Sequence, residues 1–279
     1  MDFRKSGDLA AHLFFLCGAT YCGWYRGCLV VCVTFLVSII GQCDEKKEAG
    51  KEPPKITMTL PLAISPGENS LLTLRGFQLD QATSVQIPSV EPAVTVTIRK
   101  KEKSAIPEKL EAKDAGDSLV EVEFTLPVNF SGESLPLIVT SANGTSTPFA
   151  VRVIAVERLT TETEPNDSLR KPQTVQPEIT IIGAVWQAKD VDVYEFAGLA
   201  NQSFVAEVVA SQAGSPCDAH LTLFNSAGQI LAIADDTASG RDALLRVVLP
   251  RDDSYRIVLL DATDRGSVLH LYLLKLHIE

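Results

Sequence analysis

The stretch TETEPNDSLRKPQ, residues 161–173, sets Glu162, Glu164, Asn166 and Asp167 within six positions around Pro165. Side-chain oxygens this close repel one another when the acids ionise. Three arrangements tolerate the crowding. One is a solvated linker. Another is a turn in which proline fixes φ while Asn and Asp bond to nearby backbone. The third is a cation site. An all-oxygen donor set suits calcium, which takes about six to eight oxygens from carboxylates and carbonyls. No histidine or cysteine stands close by in sequence, which disfavours zinc.

Other residues with chemical potential are sparser. Asp218, Asp235, Asp236 and Asp242 fall at the ends of apolar runs and are expected to meet at one rim, where turn-stabilising hydrogen bonds are preferred to a second ion. The histidines are His12, His220, His270 and His277. Cys217 and His220 form a thiol–imidazole pair in sequence, and such pairs can be nucleophilic. The stretch reads as a loop leading into a strand, so the proximity is taken as accidental. There is no G-x-S-x-G, H-E-x-x-H or phosphate loop. The expectation is a protein that is not an enzyme.

These residues must be held by a scaffold, and the composition bounds its kind. The 279-residue chain carries a formal net charge of −10, which argues against a nucleic-acid partner. Its one basic run, Arg99-Lys100-Lys101-Glu102-Lys103, reads as a solvated loop. Five of the six cysteines lie within the first 43 residues, leaving Cys217 alone, so no disulfide framework is expected in the folded part. Arg26 precedes CLVVCVTFLVSII at 28–40, an apolar run suited to a signal peptide and short of the about 18 residues that span a membrane. Cleavage after Cys43, lipidation of Cys43 (against which Gln42 counts), and an uncleaved anchor reaching back through LAAHLFFLCGATYCGW all remain open. Each places the rest outside the cytoplasm: periplasmic, at the cell surface or secreted.

Residues 44–55 are charged and proline-bearing and read as a flexible tether. Beyond them helix signals nearly vanish. Short alternating runs of Val, Ile, Thr and Leu are separated by Gly, Pro, Asn and Asp. The fold class expected is all-β, with two β-sandwich domains in tandem after the N-terminal segment. The first covers 56–155 and contains KITMTLP, SLLTLRGFQL, SVQIP, AVTVTIRK, SLVEVEFTLP, ESLPLIVTSANG and TPFAVRVIA. The polar excursion at 106–118 is assigned no function. Residues VERLTTETEPNDSLRKPQTVQP break the strand pattern and mark the boundary. The second, 156–279, contains eight runs from ITIIGAVW to SVLHLYLLKLHI and is expected to be a jelly roll. Within it Phe204, Ala206, Val208 and Ala210 share one face, as do Tyr272, Leu274 and Leu276. His270 has the same parity as Tyr272.

NSLLTLRGFQLDQATSVQI resembles the IPT/TIG immunoglobulin-like modules, with Gly76 supplying turn geometry. Residues 161–279 resemble the bacterial pre-peptidase C-terminal (PPC) domain. The residues that carry this are ETEPNDS at 162–168, IIGAV at 181–185, DVDVYEFAG at 190–198, LTLFNSAGQILAIADD at 221–236, DALLRVVLPRDDSYRIVLLDA at 242–262 and the closing LYLLKLHI. Such domains are β-sandwiches appended to secreted enzymes and are similar to the collagen-binding domains of bacterial collagenases. The resemblance implies a calcium site formed by Glu162, Glu164, Asn166 and Asp167 with Asp190 and Asp192. Alternating residues of one strand point the same way, so Asp190 and Asp192 can converge; carbonyls near Ile182 and Gly183 would complete the shell. Collagen binding is not carried over: Tyr194, Tyr255, Tyr272 and Trp186 stand in contexts that look like core or sheet-edge positions.

The functional expectation is an exported, non-catalytic binding or scaffolding protein of the bacterial envelope, with a calcium-stabilised PPC-like module. Its partners would be an envelope or extracellular protein or polysaccharide, with membrane contact only through the N-terminal segment. The alternative is an accessory factor for secretion, folding or inhibition of a separate secreted peptidase.

Overall fold

The computed structural model describes residues 52–279, apart from 89, 109 and 239. The signal or anchor segment 1–43, with Cys43, and most of the tether therefore lie outside the described residues. No described helix is long and apolar enough to cross a membrane.

The strands of the first half are β1 (Lys55–Leu60), β2 (Ala63–Ile64), β3 (Asn69–Phe77), β4 (Ala82–Gln86), β5 (Thr97–Lys103), β6 (Ser118–Thr125), β7 (Ser134–Ser141), β8 (Gly144–Thr145) and β9 (Phe149–Val153). They make one sheet in the order β1-β3-β6-β5 and a facing one in the order β2-β9-β7-β4, with β8 paired to β7. Period-two alternation builds this core. In β6, Val120, Val122 and Phe124 are buried while Glu121 and Glu123 between them are not.

The second half contributes β10 (Leu159–Thr161), β11 (Gln173–Thr174), β12 (Ile179–Ala184), β13 (Val191–Gly198), β14 (Ser203–Val209), β15 (Ala219–Phe224), β16 (Ile230–Ala234), β17 (Leu244–Val248), β18 (Asp253–Asp261) and β19 (Leu271–Ile278). Their sheet orders are β10-β12-β19-β14-β17 and β11-β13-β18-β15-β16. Phe204, Ala206 and Val208 on one sheet meet Tyr194, Phe196, Tyr255 and Ile257 on the other. The structure is thus all-β and built of sandwiches, as the alternation indicates.

Three expectations need correction. The basic run is not a loop: it is β5, the edge of its sheet. Gly76 does not turn the chain. It lies within β3, where a Cβ would stand 1.9 Å from the Lys55 carbonyl oxygen, so close strand approach demands glycine. The boundary segment is not free of strands, because β10 and β11 pair in parallel with β12 and β13.

The polar excursion has a structural anchor. The buried Arg75 guanidinium donates to the carbonyls of Ala115 (2.5 Å) and Ala105 (2.6 Å) and to Ser104 Oγ (2.7 Å). Beside it, Ala115 joins Met58, Leu62 and Ala63 in an apolar cluster with Ala184, Val209, Leu269, Leu271 and Leu273. This cluster explains why β19 is buried at Leu271, Tyr272, Leu273 and Leu274 in succession: one face fills its own core and the other meets the first half of the chain. Gly214, at φ +84°, permits the contact, since a Cβ there would lie 1.8 Å from the Thr57 carbonyl oxygen.

Candidate metal centre

Two parallel pairings bring the acidic segment to the open end of the second sandwich. β10 runs beside β12, and the Glu162 N–H continues the ladder by donating to the Ile182 carbonyl (2.9 Å). β11 re-enters beside β13. Residues 162–172 therefore cross between the two sheets with both ends fixed. The Glu164–Pro165 peptide is cis.

Glu162 turns inward. Its Oε2 accepts the Ala184 N–H (3.0 Å). Its Oε1 lies 3.0 Å from the Tyr194 hydroxyl, 2.9 Å from the Tyr272 hydroxyl and 3.3 Å from Asn166 Nδ2. Tyr272 also lies 2.7 Å from Asp192 Oδ2 and 2.5 Å from the Tyr194 hydroxyl. Core or sheet-edge contexts, as the sequence indicates for these tyrosines, do not convey this second use of their hydroxyls. Both are buried, with their hydroxyls forming the floor of the acid cluster. Register explains the fit. Gly183 stands opposite Tyr272 across the β12–β19 pair, and a Cβ there would be 2.4 Å from the Tyr272 ring.

Counting protons exposes an imbalance. Four short oxygen–oxygen contacts link Glu162, Asp192, Tyr194 and Tyr272. Two phenols offer one proton each. In addition, Asp192 Oδ1 and Asn166 Oδ1 are buried with no hydrogen-bond partner. Unpaired buried oxygens of this kind are costly. The cluster is short of positive charge, and a bound proton or a cation would relieve it.

The other acids adjoin this floor. Donor oxygens of Glu162, Glu164 and Asp192 lie within 4.8 Å of one another, and so do those of Glu164, Asp167 and Asp190. Glu164 thus links an inner and an outer triad. Asp190 is buried and accepts the Trp186 N–H (2.6 Å). Asn166 is buried as well. Its carbonyl accepts the N–H groups of Val193 (3.1 Å) and Ser168 (3.0 Å), and its own N–H donates to Glu164 Oε2 (3.0 Å). Turn chemistry and a convergent oxygen set therefore coexist. Burial, and next the charge of Glu162, pushes the Asp192 carboxyl up to about 10. Burial, with the neighbouring acids, also raises Glu164 and Asp190 above the usual carboxylate range. Both tyrosines are held well above the ordinary phenol value, chiefly by burial and then by adjacent groups.

All six residues singled out in the sequence converge at this place. The donor set fits a hard cation: five carboxylates and one amide oxygen, with no His or Cys in either triad. Of the carbonyls expected to help, that of Ile182 accepts the Glu162 N–H, which sets it beside the cluster.

The remaining candidates separate. Asp218, Asp235 and Asp236 form a group of carboxylates within 4.8 Å. Asp242 does not join them. It is buried and caps the N–H groups of Ala210, Ser211 and Gln212. Cys217 is buried and its thiol is pushed well above the ordinary value, first by burial. His220 Nδ1 has no hydrogen-bond partner, so no bond through that atom joins the pair. His270, which parity leaves as a sheet-rim or core residue, is buried just before β19, with Nδ1 2.9 Å from Ser267 Oγ. Trp186 is neither core nor concealed: it is 49% exposed.

No family profile matches the chain. It is 32% identical over 127 residues to a Deinococcus radiodurans protein named "Probable subtilase-type serine protease"; the match takes in 43% of this chain and 17% of that protein's length. Among solved structures, the pre-peptidase C-terminal domain of a Bacillus anthracis collagenase aligns at 13% identity over 38% of this chain and 93% of that one, with a TM-score of 0.32. The Bacteroides ovatus protein SGBP-B, of a mixed-linkage glucan utilization locus, aligns at 10% identity over 80% and 74%, with a TM-score of 0.25. Likeness at these scores carries no argument, and the all-β assignment stands on the strands themselves.

Proposed function

We propose that the chain is an exported, non-catalytic binding or scaffolding protein of the bacterial envelope whose second sandwich is a PPC-like module stabilised by calcium. The observation that carries the calcium reading is the proton shortfall around Glu162 and Asp192, together with the unpaired buried oxygens of Asp192 and Asn166. Glu162, Glu164, Asn166, Asp167, Asp190 and Asp192 would hold the ion. When bound, calcium supplies positive charge to a set of oxygens that otherwise repel. The chain's own residues do the rest. Tyr194 and Tyr272 orient the inner carboxylates, and the backbone of Ala184 and Trp186 fixes Glu162 and Asp190.

The test is thermal melting of the full chain in calcium, in magnesium and in chelator. An ion that binds only the folded state stabilises it by about 2.7 kcal/mol at a hundredfold excess over Kd. A calcium-specific rise in the midpoint supports the reading. No rise at millimolar calcium leaves residues 162–168 as turn chemistry alone.

The Deinococcus relative favours a second reading, in which the module serves a separate secreted peptidase during secretion, folding or inhibition. Affinity capture from culture and envelope fractions separates the two. One dominant protease partner supports the accessory role; polysaccharide or several envelope proteins support the scaffold.

A further inference from the structure

The sheet β11-β13-β18-β15-β16 ends in a strand made only of apolar residues. β16 reads ILAIA, with neither charge nor proline. Its ladder partner is β15, and no other backbone hydrogen bond reaches Ile230–Ala234 among the described residues. Ile230 and Ile233 are 55% and 59% exposed. Alternate N–H and C=O groups of an edge strand point away from the sheet and can template another strand. The other edges differ: β5 carries Arg99, Lys100, Lys101 and Lys103, β17 carries Arg246, β1 opens on Lys55, β4 (ATSVQ) is largely polar, and β2, β10 and β11 have only two or three residues. The one irregularity of β16 is a register shift at its start, which leaves Ala232–Ala234 regularly paired.

The chemistry at the end of this edge selects a partner. Asp235 and Asp236 follow directly, are exposed, and share a carboxylate group with Asp218. The three carboxylates give this end of the edge a local concentration of negative charge. An incoming strand therefore meets apolar side chains along β16 and excess negative charge beyond its C-terminal end. In an antiparallel addition, that end receives the N-terminal end of the newcomer.

We propose that β16 accepts a strand from a partner protein: an extended apolar segment whose basic N-terminal end meets Asp218, Asp235 and Asp236. Main-chain hydrogen bonds supply the affinity of such additions, and side chains and end charges the selectivity. The edge lies apart from the metal centre, so the inference stands whether or not calcium binds there.

The experiment titrates the full chain with two labelled peptides of alternating valine and threonine, one opened by a pair of lysines and the other by a pair of glutamates. Fluorescence anisotropy reads binding, and hydrogen exchange reads protection of residues 230–234. The lysine peptide is expected to bind, to protect β16, and to bind about tenfold more tightly than the glutamate peptide. Ile233→Lys puts a charge on an exposed position, leaves the melting midpoint unchanged and abolishes binding. Asp235→Asn with Asp236→Asn narrows the gap between the peptides. The proposal is overturned if neither peptide binds, if both bind equally, or if Ile233→Lys binds like the wild type. It is equally overturned by a wild-type dimer that Ile233→Lys converts to monomer, which would make a second copy the occupant.

Discussion

Replacing Asp192 with Asn should stabilise the metal-free protein, although the residue lies at the heart of the acid cluster. Asp192 is fully buried, its carboxyl is pushed up to about 10 from an ordinary 3.8, and Glu162 stands beside it. At pH 7 the unfolded chain has released the proton that the folded chain keeps. At about 1.4 kcal/mol per pH unit, that difference costs the folded state about 4 kcal/mol. The sign follows from proton counts. Between 3.8 and about 10 the folded state binds the extra proton, so stability falls as pH rises through that window. Asn has nearly the same shape and cannot ionise, so the cost disappears. For a domain of this size, 4 kcal/mol corresponds to a rise in melting midpoint of about 10 °C in chelator. Calcium should reverse the ranking, because it stabilises the ionised wild type and gains less from the amide. The assay is calorimetric melting of both proteins from pH 5 to 9, in chelator and in calcium. In chelator the two pH slopes should differ by about one proton. Parallel slopes, with the Asn variant melting below wild type throughout, would refute the reasoning. Asp192 would then be an ionised carboxylate already satisfied by Tyr272.

Gly183→Ala should destabilise by about 1–3 kcal/mol, because its Cβ would stand 2.4 Å from the buried Tyr272 ring; urea unfolding reads this, with a lower midpoint and an unchanged slope. Cys217 should resist thiol reagents in the folded protein and label quickly once unfolded, because burial both shields the thiol and holds it protonated; the labelling rate should track unfolding as denaturant is added.

Much of the scaffold is legible in the sequence, because half-buried strands alternate. V-E-V-E-F in β6 and the Phe204, Ala206, Val208 parity in β14 identify both strand and inward face. The misreadings have physical causes. β10 and β11 have three and two residues, too few to show a period, and they are held by neighbours distant in sequence. R-K-K-E-K looks like a loop because charge on an edge strand faces solvent on both sides. The acid cluster can be found from composition and a motif, but its tyrosine floor cannot. Tyr194 and Tyr272 have ordinary core parity, and only the register between β12 and β19 sets Gly183 under the Tyr272 ring. A signal for the second apolar cluster was present: L-Y-L-L in β19 is apolar on consecutive positions, the mark of a strand covered on both faces.

The place of β19 has a consequence for how the chain is born. It is the last strand of its sandwich in sequence, yet it sits at the centre of its sheet between β12 and β14. Until Leu271–Ile278 leaves the ribosome, β12 and β14 have no common neighbour, and Tyr272 is missing from the core. With the central strand of its sheet last in order, this half of the protein cannot complete its core until residues 271–278 are available to pair with both β12 and β14.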